Sequence, residues 1–363
     1  GGGSPMDVAK AVGVVAKFGG TIGDYEGVGK VPGPIDTLIA VPTTAGTGSE
    51  VTVAAVITDE ARNYKLSVLG PEISPTYAVL DPELIMTAPA SVAAACGVDA
   101  LIHAMESYIN TDANPFAMAM GEKAMELIGG NIRKFVARRN DPDAACAMML
   151  GSTFAGIAFA NNRLGDIHAM SHPVSAFFHV AHGVANAVLM PTIFEFNALA
   201  ADERYANIYQ YITGKEAGPD FVPQMLCDAL RQLNNDLGIP ACLADVGVTE
   251  DKIPQMAVDA MKSGNVMVNR PIVLAPLVGA ILGDLQQGLI MGAALELIFL
   301  GVVSIGGATP SDSNMGSVLG TAFAMSMHQG VEIALALAVP IGILQQMVKY
   351  LVYFFRATTM HKV

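Results

Sequence analysis

Two rhythms of apolar and polar positions divide the first 270 residues of this chain. Up to about residue 85, short apolar runs alternate with polar punctuation. Pro5–Lys17 reads as a helix, with Ser4 as its cap, Pro5 at its first position and Asp7 three residues after the cap, a capping-box-like start. TLIAVP (37–42), VTVAAVITD (51–59), YKLSVLG (64–70) and TYAVLD (76–81) are rich in β-branched residues and bounded by Gly, Pro and Thr, so they predict strands. From about residue 88 to 270 the spacing turns helical, in runs such as VAAACGVDALIHAMESYI and FVPQMLCDALRQLNNDL. The fold class expected is α/β: an α/β nucleotide-type domain (1–87), then an all-helical domain (88–269). No internal repeat interrupts either.

From Pro271 the pattern loses its polar face altogether. Residues 313–331 and 333–348 contain no Asp, Glu, Lys or Arg. The first stretch meets the roughly 20-residue length of a membrane helix. Gly288-x-x-x-Gly292 and Gly316-x-x-x-Gly320 suit close helix packing in lipid. Buried core helices are the alternative, but four apolar stretches in succession with almost no charged face favour a membrane-type helical tail over 270–363.

Charge sharpens this division. The chain holds 33 acidic and 20 basic residues, of which four and three fall after Arg270. The earlier part is therefore acidic, poorly suited to nucleic-acid backbones or anionic surfaces. Cys96, Cys146, Cys227 and Cys242 form no C-x-x-C pair and no dense framework, which points to a reducing compartment and away from thiolate zinc sites. No cleavable signal peptide is recognised, and a start on Gly-Gly-Gly reads as a truncation. A cytoplasmic location is expected for residues 1–269.

The candidate chemistry lies on the helical side. Asp99 and His103 are four apart, as are His168 and His172, so each pair shares a helix face. Four of the seven histidines fall between His168 and His182. One carboxylate and several imidazoles suit a catalytic divalent metal rather than a structural one. His172, His179 and His182 are all candidates beside His168, and spacing alone does not choose among them. Pro173 disfavours regular helix at His172. Two loops could cradle a cofactor. GGGSPMD lets the backbone approach a pyrophosphate at a helix N-terminus, and PTTAGTGSEVT offers the hydroxyls of Thr43, Thr44, Thr47 and Ser49. A flexible Gly/Ser start and an ordinary polar turn are the bland readings.

Taken together, GGGSPMDVAKAVG, PTTAGTGSEVT, GVDALIHAMESY and LGDIHAMSHPVSAFFHVAHGVANAVLMP resemble the iron-containing (group III) alcohol dehydrogenases, collinearly from Gly1 to about Asn269. The resemblance implies an NAD(P)-dependent enzyme interconverting a small primary alcohol or diol and its aldehyde, with a Lewis-acid metal, Fe²⁺ or Zn²⁺, in a cleft between a partial dinucleotide-binding domain (1–87) and a helical metal-binding domain (88–269). By position it implies metal ligands at Asp99, His103, His168 and His182, and a proton-relaying or substrate-orienting role for His172. It implies pyrophosphate contacts at Gly2, Gly3 and Ser4 with Asp7 beside them, further cofactor contacts at Thr43, Thr44 and Thr47, and Lys65 facing the nicotinamide ribose. A homo-oligomer is expected for this part, with no nucleic-acid partner. Members of that family carry an N-terminal segment before GGGS and a further helix after GNVMVN, so the likeness predicts a cofactor pocket short of one wall and a sheet with an unpaired edge.

GAILGDLQQGLIMGAALELIFLGVVSIGGATPSDSNMGSVLGTAFAM and ALAVPIGILQQMVKYLVYFF are similar instead to the membrane IIC subunit of mannose/sorbose-type sugar phosphotransferase systems. That likeness makes the membrane the partner of the tail, a sugar its ligand, and Glu296 and Asp312 the polar candidates, since charge at membrane depth is costly and usually functional. The join at Asn269–Arg270 has no spacer. A chimera of two partial reading frames is the expectation.

Overall fold

Helix α1 (Gly3–Phe18) opens the chain and lies on a small sheet. Its buried positions Met6, Lys10 and Val14 recur every four residues, with Ala11 beside them. The sheet has the order β1 (Gly27–Val28), β4 (Tyr64–Leu69), β3 (Ala54–Asp59), with β2 (Ile39–Ala40) and β5 (Tyr77–Ala78) paired separately. β1 runs parallel to β4 and β2 parallel to β5, while β3 and β4 form an antiparallel hairpin from Ala54↔Leu69 to Asp59↔Tyr64. Val14, Val31, Ala55, Leu66, Val68 and Ile73 close the core between helix and sheet.

This is a computed structural model, and it describes residues 1–62, 64–110, 113–198, 203–262, 271–300 and 313–360. It divides into two compact units, Gly1–Val266 and Met267–Val363.

Two local expectations are corrected in the α/β region. Helix α1 starts at Gly3 with Gly2 as its N-cap, so Ser4 lies inside the first turn and caps nothing. The earlier start is set by the neighbouring loop: the Gly1 nitrogen donates to the Val41 carbonyl and the Thr43 N–H to the Gly1 carbonyl. A Cβ on Gly3 would lie 2.4 Å from Thr47 Cγ2, so this approach needs glycine. The strands are also shorter than predicted, and Ser49–Val51 forms a 3₁₀ turn ahead of β3.

After the short α2 (Glu83–Met86), the rest of the first unit is helical: α3 (Ala90–Ile109), α4 (Pro115–Ala137), α5 (Pro142–Ala160), α6 (Asp166–Phe178), α7 (His182–Asn197), α8 (Glu203–Thr213), α9 (Pro223–Asp236) and α10 (Ile253–Lys262). α3 is the central rod. Almost every residue from Ala93 to Tyr108 is buried, and α4, α5 and α7 pack around it. Pro and Asn or Asp set the starts of the outer helices: Asn114 accepts from the Ala117 N–H ahead of Pro115, and Asp141 from Asp143 and Ala144 ahead of Pro142. α6 runs unbroken through Pro173, contrary to the expectation at His172. Pro173, Val174 and Ala176 are buried on that helix, and their packing outweighs the missing backbone bond.

The second unit contains α11 (Pro271–Ile281), α12 (Leu285–Leu300), α13 (Ser313–Ser326) and α14 (Val331–Met360). The glycine pairs sit at its helix crossings. A Cβ on Gly288 would lie 2.7 Å from the Ala275 carbonyl, one on Gly292 2.9 Å from the Pro276 ring, one on Gly316 2.5 Å from the Ala338 carbonyl, and one on Gly320 2.9 Å from that of Ala334. Glu296 is buried on α12. Asp312 and the join at 269–270 lie outside the described residues.

Candidate metal centre

Three helices bring the site together. α3 carries Asp99, His103 and Glu106, α6 carries His168 and His172, and α7 begins at His182. One ligand atom each from Asp99, His168 and His182 lies within 4.8 Å of the others. His103 adjoins this trio instead of joining it. Its ring stacks on that of His168, with centroids 4.5 Å apart and planes 23° apart, and on Phe159 at the same distance. Three of the four expected ligands therefore converge, and the fourth packs face to face against one of them. His179, the remaining histidine of the cluster, is the left-handed C-cap of α6.

The donor set fits a cation. The Asn186 side-chain nitrogen stands 2.6 Å from Asp99 Oδ1, 3.1 Å from His168 Nε2 and 3.2 Å from His182 Nε2. A carboxylate oxygen and two imidazole nitrogens thus face one small space around that amide, and together they make the oxygen-and-nitrogen donor set of a divalent ion. Buried polar atoms without a partner cluster here too: His103 Nδ1 and Asn186 Oδ1. Oxygen and imidazole ligands without thiolate suit Fe²⁺ or Zn²⁺.

Electrostatics divide the histidines. Burial alone would lower the His168 pKa, but Glu106 and Asp99 outweigh it and raise the value to about 9. Burial lowers His103 to about 3 and His182 to about 4, against the pull of Asp99. His172 is held well below its ordinary value by burial and by the positive charge of its neighbours, so it stays neutral. Burial alone would raise the Asp99 pKa, but the surrounding imidazoles overcome it and lower the value.

A cleft of about 690 Å³ opens over these residues, lined by His103, His168, His172 and His182 on one side and by Gly3, Ser4, Thr47, Ser49 and Lys65 on the other. The His172 ring is 5.4 Å from that of His182 and 6.4 Å from that of His168, on the cleft side. Of the expected cofactor residues, Gly3, Ser4, Asp7, Thr47 and Lys65 line the cleft, whereas Gly2, Thr43 and Thr44 do not. Thr44 instead faces a small separate void beside Cys96. Asp7 uses both carboxylate oxygens internally, accepting from the Ser49 hydroxyl at 2.6 Å and the Val56 N–H at 2.9 Å, so it braces the cleft wall. Lys65 donates to Thr58 at 2.7 Å.

Glu106 and Asn186 were not singled out from the sequence. Glu106 is three residues after His103 and seven after Asp99, and Asn186 four after His182, so helical spacing marks both as neighbours of the ligands.

Comparison with known proteins agrees with this geometry. Residues 1–82 match the family model for iron-containing alcohol dehydrogenase, and residues 93–275 the model for the C-terminal part of that family. Residues 237–363 match the model for a sorbose-specific IIC component of phosphotransferase systems. The chain is 42% identical over 264 residues to an NAD-dependent methanol dehydrogenase of Bacillus methanolicus, covering 72% of this chain and 69% of that protein. It is 38% identical over 271 residues to a 1,3-propanediol dehydrogenase of Citrobacter freundii, covering 74% and 70%. A solved structure of a 1,3-propanediol oxidoreductase superposes with a TM-score of 0.70 at 38% identity, over 73% of this chain and 70% of that one. With an α/β region leading into a helical domain, and a carboxylate and imidazoles gathered on three helices, the chain belongs to the iron-containing alcohol dehydrogenase family.

Proposed function

We propose that residues 1–266 interconvert a small primary alcohol or diol and its aldehyde with NAD(P), as a homo-oligomer. The observation that carries this reading is the convergence of Asp99, His168 and His182 on one point beneath the cleft. These three, with His103 packed against them, would hold Fe²⁺ or Zn²⁺. Gly3 and Ser4, at the N-terminus of α1, offer backbone N–H groups to a cofactor phosphate, and Thr47 and Lys65 extend that wall. When bound, these groups supply Lewis-acid polarisation of the alcohol or aldehyde oxygen and a nicotinamide that accepts or donates hydride. The chain's own residues do the rest. His172, on the cleft wall, stands where it can orient the substrate or relay a proton between the substrate oxygen and solvent. Phe159 and Pro173 line the same cleft and help to exclude water.

The test is metal and coenzyme analysis of the purified full chain. The expected result is one divalent metal per chain, nicotinamide binding, and oxidation of methanol or 1,3-propanediol with NAD⁺, with His168→Ala losing the metal. A wild-type chain that takes up neither metal nor coenzyme overturns the reading.

A second reading concerns residues 271–360, which we propose are embedded in a membrane. Val331–Val348 is long and apolar enough to cross one, and 17% of it is buried within the protein. Retention of the full chain in phospholipid vesicles through alkaline carbonate washing is expected; quantitative extraction would sink it.

A further inference from the structure

The His168 ring is held at three points by one helix. Asp99, His103 and Glu106 stand on α3 at intervals of four and three residues, on a common face. Asp99 Oδ1 is 3.7 Å from His168 Nε2, the His103 ring lies parallel to the His168 ring, and Glu106 Oε2 is 2.5 Å from His168 Nδ1. The imidazole thus lies along α3, with a carboxylate at each end and a second imidazole against its face. Glu106 is 3% exposed. Its other oxygen accepts the Ile167 N–H at 2.7 Å, in the first turn of α6. The backbone before that turn is equally close, since a Cβ on Gly165 would lie 2.9 Å from Glu106 Oε1.

We propose that Glu106 is a positioning residue for the metal: by accepting the Nδ1 proton of His168, it turns the ring and directs the Nε2 lone pair toward Asp99 and His182. The inference rests on the metal-site reading above. A metal-bound imidazole carries its remaining proton on the other nitrogen, and that proton needs an acceptor in a buried site. Glu106 is the acceptor at that nitrogen. The same carboxylate ties the start of α6 to α3, so ring orientation and helix position are set by one group.

Glu106→Gln separates these two duties. The fixed Ile167 N–H takes the amide oxygen, which leaves the amide NH₂ facing His168 Nδ1. Donor then meets donor whenever Nε2 is bound to metal, while the tie to α6 survives. In the full chain, Zn²⁺ affinity measured against a chromophoric chelator should fall 10- to 100-fold, roughly the cost of losing an outer-shell partner. The visible absorption of the Co²⁺-loaded protein should shift as the ligand field changes. Glu106→Asp, which keeps the charge on a shorter arm, should recover part of the affinity. Thermal melting of the metal-free chains should show all three folded. Normal Zn²⁺ uptake by wild type with a Glu106→Gln affinity within twofold of it overturns the proposal alone. A wild-type chain that binds no Zn²⁺, Fe²⁺ or Co²⁺ overturns the site reading and the proposal together.

Discussion

Helices α3 and α14 have much the same apolar character and opposite surroundings. Ala90–Ile109 has a mean hydropathy of 1.2 and is 83% buried within its unit, whereas Val331–Val348 has a mean hydropathy of 1.8 and is 17% buried within its own. Polarity explains the contrast better than apolarity does. α3 hides Asp99, His103, Glu106 and Ser107 among its alanines, and Asp99 and Glu106 are met by groups from α6 and α7. A helix with buried charges needs protein around it, because lipid offers no partners. α14 has no Asp, Glu, Lys or Arg between Ile333 and Val348, and turns Ile343, Leu344, Met347 and Val348 outward. Hydropathy identifies both helices as apolar, and the polar minority shows which one is a core.

The same substitution in each helix should separate them most sharply. Leu101→Asp, at a site with no exposure on α3, buries an unpaired carboxylate and should cost more than about 4 kcal/mol, abolishing cooperative melting of the first unit. Leu344→Asp, at a 62% exposed position on α14, should leave that melting unchanged while reducing retention in lipid vesicles, at a cost of roughly 2.5–3.5 kcal/mol for Asp in a membrane helix. Equal effects of the two changes on melting would erase the distinction.

A smaller effect comes from the buried charge on α1. Lys10 is fully buried and donates to the carbonyls of Thr52 and Ala54, both at 2.9 Å, and burial lowers its pKa to about 8 despite the opposing pull of Asp7 and Glu50. Between that value and the ordinary lysine value, the unfolded chain binds the extra proton. The stability of the first unit should therefore rise with pH from about 8 to about 10.5, by up to roughly 3 kcal/mol. Denaturant titration across that range should show the slope in wild type and lose it in Lys10→Met; a slope that persists in Lys10→Met would assign it to other groups.

Smaller still, Gly316→Leu drives a side chain into the Ala338 carbonyl and should destabilise the second unit by about 1–3 kcal/mol, read as a lower melting temperature in detergent. The least is Ser49→Ala. It removes the hydroxyl bonded to Asp7 and should cost about 1 kcal/mol, with weaker coenzyme binding because the cleft wall loosens.

Much of this arrangement was legible in the residues, and the failures have physical causes. The helical spacing of Asp99 and His103, and of His168 and His172, marked α3 and α6 as carriers of the site, because side-chain direction in a helix follows from its repeat. The start of α1 is not legible locally because the pairing of Gly1 with Val41 and Thr43 spans some forty residues, and no capping signal reports it. Pro173 is a poor guide to the end of α6 for the same reason: the packing that stabilises this helix comes from α7, α10 and β4. Thr43 and Thr44 share a loop with Thr47, yet only Thr47 reaches the cleft, since side chains in an irregular loop follow no simple period. Glu106 and Asn186 were readable from spacing once the ligands were known. Their chemistry shows only when the distances to His168 and Asp99 are in hand.

The glycine crossings of the second unit have a consequence for its durability. At Gly288, Gly316 and Gly320 the atom nearest to an added Cβ would be a main-chain carbonyl of the facing helix, so the neighbouring rods approach closely there. Such seams are held by dispersion and close fit, forces that do not depend on water being expelled, and so they keep their strength when the surroundings change from aqueous to oily. A bundle joined this way can exchange its solvent without exchanging its shape.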